Sequence, residues 1–78
     1  MLIQVTDVDY IEDYKLELTF NHSVKKLVDL EKYLENELFK HLKDLDNFKQ
    51  YGLTIWTIEW IDGIDFAPEF LFKIGKEI

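Results

Sequence analysis

Tyr14-Lys15-Leu16-Glu17-Leu18-Thr19-Phe20 alternates apolar and polar residues without a slip, and a period of two marks a β-strand with one face on a core and one in water. Leu16, Leu18 and Phe20 form its inward face. Upstream, Glu12-Asp13 marks a turn, and Ile3, Val5, Val8, Tyr10 and Ile11 form an alternation whose parity slips near Thr6-Asp7. This predicts a first strand over residues 2–10 with a bulge or bend. Downstream, the polar break Asn21-His22-Ser23 precedes residues 24–28, whose β-branched content suits a third strand folding back as a hairpin. The N-terminal third is therefore read as a three-stranded antiparallel meander.

The period then changes. Asp29 is a good N-cap, Glu31 falls in the first turn, and Leu30, Tyr33, Leu34 and Leu38 recur at helical spacing. Leu42, Leu45 and Phe48 carry the spacing on to residue 49, but Asn36 and the second capping residue Asp44 predict a break into shorter helices. Tyr51-Gly52 closes the helical part. In residues 53–61, Thr54, Trp56, Ile58 and Trp60 alternate with Leu53, Ile55, Thr57, Glu59 and Ile61. Apolar side chains on both faces read either as one strand or as two joined by a tight turn. Leu16, Leu18, Phe20, Leu34, Leu38 and Trp60 are expected to be buried together, because the strand face and the helical stripe each need covering.

In the last quarter, a strand ends at Trp60-Ile61, Asp62-Gly63 forms a turn in which Gly63 takes a positive φ, and a short helix starts near Pro68 with Glu69 at its positive end. The order Trp60-x-x-Gly63-x-Asp65-x-x-Pro68-Glu69-x-Leu71 resembles the signature of the bacterial domain-of-unknown-function family 2442. Asp7-Val8, the stretch from Tyr14 to Phe20, and Val28-Asp29-Leu30 fall in the family's order too, so nearly the whole chain is covered. Where the family usually carries an Asn-Gly-type hairpin turn, this chain has Asn21-His22-Ser23. The family has no established biochemistry. The resemblance implies only company: genes for such domains are often found beside those of small toxin-like proteins, which looks like an antitoxin arrangement.

These readings predict an α+β domain over residues 1–78, an antiparallel sheet made of the meander and a C-terminal strand or strands, with short helices packed on one face. A chain of this length buries only ~60% of its unfolded surface, which leaves no room for a second domain. Its 47% hydrophobic and 15% aromatic content is nevertheless that of a folded chain. Cysteine is absent, which excludes disulfide staples and Cys-based zinc sites. No signal-peptide pattern follows Met1 and no apolar stretch approaches the ~20 residues that cross a bilayer. A cytoplasmic protein without membrane contact is expected.

Nine lysines, no arginine and sixteen carboxylates leave a net charge of −7. Arginine is the residue best suited to phosphate and guanine, so direct nucleic-acid binding is not expected. The acidic run Asp7, Asp9, Glu12 and Asp13 presents a negative strand edge to a basic protein partner, or deters edge-to-edge aggregation. Trp56 and Trp60, placed on one strand, would share a face about 13 Å apart and are read as core. Glu59, Asp62 and Asp65 are the alternative site, oxygen ligands for a divalent cation or a small ligand, but their spacing matches no calcium loop. His22 and His41 have only Ser23 as a candidate nucleophile, and adjacent residues rarely form a base and nucleophile pair. The three glycines are isolated, so no phosphate loop exists. The expected function is therefore a non-enzymatic protein-binding domain with no cofactor and no metal. Self-association stays open.

Overall fold

The computed structural model describes residues 2–60 and 63–78. Strand β1 (Val5–Glu12) pairs antiparallel with β2 (Lys15–Phe20), and β2 with β3 (Lys25–Asp29). The meander is as expected, although β1 starts three residues later than predicted and runs two further. The parity slip at Thr6-Asp7 is a register shift between Val5 and Asp7, and a second shift lies between Tyr10 and Glu12. The first shift brings Val5, Val8 and Tyr10 opposite Phe20, Leu18 and Leu16, all toward the core.

The two hairpin loops take non-glycine residues into the left-handed region. Asp13, in the β1–β2 turn, has φ 49°, and Ser23, in the β2–β3 loop, has φ 67°. Ser23 N–H donates to the Phe20 carbonyl, and Phe20 N–H to that of Val24. This is the three-residue loop with a left-handed third position that glycine normally fills. Asn21 makes the loop a clamp: its Oδ1 accepts from Gln4 N–H and its Nδ2 donates to the Leu2 carbonyl.

The expected helical stretch is broken at both predicted places, but mostly into 3-10 turns. Two 3-10 helices, Glu31–Glu35 and Glu37–Lys43, precede α1 (Leu45–Phe48). Asp29 Oδ1 accepts from Glu31 N–H, Asn36 Oδ1 from Leu38 N–H and Asp44 Oδ1 from Asp46 N–H, so the short polar side chains satisfy the backbone where each turn restarts. The extended backbone of Asn36 (ψ 138°) breaks the 3.6-residue spacing. Leu34 is therefore fully buried whereas Leu38 is 69% exposed, against expectation. Leu16, Leu18, Phe20, Leu34 and Trp60 do share one core, with Leu42, Phe48, Ile58 and Leu71 added to it.

Residues 53–61 take the two-strand alternative. β4 (Tyr51–Leu53) and β5 (Ile58–Trp60) form a second, two-stranded sheet, with Tyr51 opposite Trp60. Tyr51-Gly52 thus opens a strand as well as closing the helical part. Ile61 and Asp62 lie outside the described residues; Gly63 takes the expected positive φ, 81°. Helix α2 (Pro68–Ile74) starts with Pro68 in its first turn, Glu69 beside it, as predicted. β6 (Lys76–Glu77) then pairs with β3, giving the sheet order β1-β2-β3-β6. The chain passes β3 so closely that a Cβ on Gly75 would lie 2.8 Å from that of Lys26. Lys26 itself points inward beside Val28, its Nζ donating to the Phe72 carbonyl and lying 3.6 Å from the Phe72 ring centre. A helix-end carbonyl and an aromatic face thus replace the water this lysine gives up.

Candidate interaction surface

The β4–β5 hairpin runs along the free edge of β1. At one end Val5 N–H donates to the Trp56 carbonyl at 2.8 Å, and Gln4 Nε2 to that of Ile55. At the other, the Tyr51 hydroxyl comes close enough to the backbone of Tyr10 to feel it electrostatically. Burial pushes the pKa of this hydroxyl above the ordinary tyrosine value, the Tyr10 backbone lowers it, and the charges of Asp9 and Asp7 raise it again.

The hairpin turn is organised by one side chain. Thr54 Oγ1 accepts from the N–H groups of Trp56 and Thr57 and donates to the Thr57 carbonyl, while Thr54 N–H donates to that carbonyl as well. Thr57 is buried, its hydroxyl donating to the Phe66 carbonyl at 2.7 Å. Between these two threonines Ile55 and Trp56 project outward, 75% and 44% exposed, with Leu53 45% exposed beside them. The expectation that both tryptophans are core on one strand face is corrected: Trp60 is core, its Nε1–H donating to the Phe48 carbonyl at 2.8 Å, and Trp56 sits in the turn. The Thr54-x-x-Thr57 spacing, with hydroxyls that bond the local backbone, was the sequence signal for that turn.

The predicted acidic residues separate into two groups. Asp7 and Asp9 face outward two apart on β1, and Asp9 lies directly across from Glu17 of β2. Directly opposed like charges cost stability; the nearest relief among the described residues is Lys25, 4.0 Å from Glu17. Glu12 and Asp13 lie at the far end of the strand, Glu12 paired with Lys15 at 3.5 Å. Glu17, read as an ordinary water-facing strand residue, completes the patch with Asp7 and Asp9.

The other expected constellations do not converge. Glu59 and Asp65 face each other across an isolated bridge, Asp62 lies outside the described residues, and among the described residues no three histidines or carboxylates gather as metal ligands. Asp65 does not cap α2, whose N-cap Ala67 has no side-chain bond. His22 packs against Phe20 and Phe72, its Nδ1 buried without a hydrogen-bond partner among the described residues, while exposed His41 belongs to the second 3-10 helix. Among the described residues no helix is long and apolar enough to cross a membrane.

The family model described as "Protein of unknown function (DUF2442)" matches residues 5–77, and the chain belongs to that family. No curated protein and no solved structure matches the chain.

Proposed function

We propose that this family member is a non-enzymatic protein-binding module, and that its hairpin turn and the adjoining acidic strand engage a small basic protein. The observation that carries the reading is the display of Ile55 and Trp56 in water by a turn that Thr54 closes and that Val5 and Gln4 tie to the edge of β1. Holding two large apolar side chains outward before binding reduces the ordering that a partner must otherwise supply. An aromatic anchor with a charged margin matches the anatomy of interfaces in which few residues carry most of the energy. The Asp7, Asp9 and Glu17 carboxylates, crowded against one another, gain from a cation brought between them. The net charge of −7 speeds the encounter with such a partner. Within a family that resembles the neighbours of small toxin-like proteins, the specific form of this role is that of an antitoxin-like partner in the bacterial cytoplasm.

The test is co-expression with the product of an adjacent reading frame that encodes a small basic protein, followed by calorimetry on the purified pair. Trp56→Ala is expected to weaken binding about tenfold or more, as loss of an interface anchor does. The paired change Asp7→Asn with Asp9→Asn should slow association and flatten its salt dependence, with dissociation little altered. Binding that ignores both changes and ignores salt sinks the proposal. Alone, the protein is expected to leave a DNA fragment unshifted in a low-salt mobility assay.

A further inference from the structure

Where the two 3-10 helices meet the start of α2 lies a cleft of about 350 Å³, walled by Tyr33, Phe39, Phe66 and Phe70, with Asn36 and Asp65 at its margin. Phe39 stacks on Phe66 at 15° and 4.5 Å, and Phe66 on Phe70 at 13° and 5.8 Å, so three rings lie nearly parallel. Tyr33 stands edge-on to Phe70 at 85°. Phe66 is buried, but Tyr33, Phe39 and Phe70 are only partly so and offer ring surface to the cleft. Asp65 is exposed, caps no helix, and has no ion pair or side-chain hydrogen bond among the described residues. Its bridge partner Glu59 adds a second carboxylate nearby.

We propose that this cleft receives the guanidinium of an arginine side chain from a basic protein, lying along the aromatic rings with two N–H groups donating to Asp65. A ring attracts a cation at its face and not at its edge, so the guanidinium lies on an outer face of the stack, and the Asp65 carboxylate supplies the opposite charge. Arginine fits both features at once, because its guanidinium is planar, weakly hydrated and forked to match a carboxylate, whereas the ammonium of lysine is a compact, strongly hydrated point charge. Among the described residues, the lysine held near these rings is Lys32, 5.2 Å from the Tyr33 ring centre. The chain has no arginine of its own, so the cation comes from another molecule. The inference rests on the reading that the partner is basic, and not on the hairpin surface.

The experiment titrates a capped Gly-Arg-Gly tripeptide into isotope-labelled protein and follows the ring signals by NMR. Saturable shifts of Tyr33, Phe39 and Phe70 in the millimolar range are expected. The Gly-Lys-Gly peptide should bind at least about threefold more weakly, and the citrulline peptide, which has the shape without the charge, not measurably. Asp65→Asn should weaken arginine binding about tenfold, and Phe39→Leu should weaken it while leaving the rest of the spectrum in place. Equal binding of the lysine and arginine peptides, undiminished binding by Asp65→Asn, or shifts confined to Asp7 and Asp9 would each overturn the assignment. Because no natural partner is involved, a cleft that ignores arginine leaves the hairpin surface untouched, and a hairpin that binds no basic protein leaves the cleft result standing.

Discussion

The meander and the β4–β5 hairpin are both antiparallel, yet they treat their side chains by different rules. In β2 every second residue is buried, Leu16, Leu18 and Phe20, with half-exposed residues between them. In the hairpin each strand is three residues long, and four apolar or aromatic residues within six positions divide between core and water: Ile58 and Trp60 inside, Ile55 and Trp56 outside. A long strand flanked on both sides averages out local accidents, because neighbouring strands fix its register and a core fixes its face. A short hairpin at a sheet edge has no such averaging. Its turn, set by Thr54, decides which side chain goes where.

The largest effect that separates the two regimes is core truncation. Leu18→Ala removes a fully buried side chain and should cost ~2 to 5 kcal/mol in chemical denaturation. Leu38→Ala, on the exposed side of the second 3-10 helix, should stay within about 0.5 kcal/mol. Comparable costs for the two would mean that the helical spacing runs unbroken through Asn36.

The two tryptophans give the next contrast. Trp60→Phe leaves the buried Phe48 carbonyl without its donor and should cost roughly 1 to 3 kcal/mol, whereas Trp56→Phe should leave the denaturation midpoint where it was. Emission from the Trp56→Phe variant, which reports Trp60, should be blue-shifted and resistant to acrylamide. Equal quenching of the two single-tryptophan variants would break the comparison.

Ser23→Gly tests the meander at the β2–β3 loop, one of the two that carry a left-handed non-glycine residue. A serine at φ 67° carries a penalty that glycine lacks, so the substitution should raise stability by about 0.5 to 1 kcal/mol. A loss of stability would show that the serine conformation is not strained.

The smallest effect is a titration. Tyr51 holds its proton more tightly when folded, first because it is buried and then because Asp9 and Asp7 lie near, against the opposing effect of the Tyr10 backbone. Its contribution to stability is therefore complete below the unfolded value of about 10 and declines as pH rises above it toward the folded value. Absorbance at alkaline pH should show a tyrosine phase above the ordinary tyrosine range, and Tyr51→Phe should abolish that phase. An absorbance titration that Tyr51→Phe leaves without any lost late phase would place Tyr51 in water.

Residue pattern alone determined the meander, the bulge in β1, the breaks at Asn36 and Asp44, the turn at Gly63 and the start of α2 at Pro68. Each of these rests on an interaction between residues close in the chain: alternation against a face, a short side chain on a nearby amide, a φ that proline or glycine permits. The acidic residues of β1 were legible as a charged edge, but the pairing of Asp9 with Glu17 required the register of two strands. Only the tertiary structure decided that Leu38 faces water, that Trp56 and Trp60 part company, that Lys26 lies inside against the end of α2, and that Asp65 borders an aromatic cleft. Those outcomes depend on which distant segment arrives to cover a given side chain. Period and composition carry no record of such arrivals, because the free energy of burial depends on what lies across the contact and not on which residue stands next in the chain.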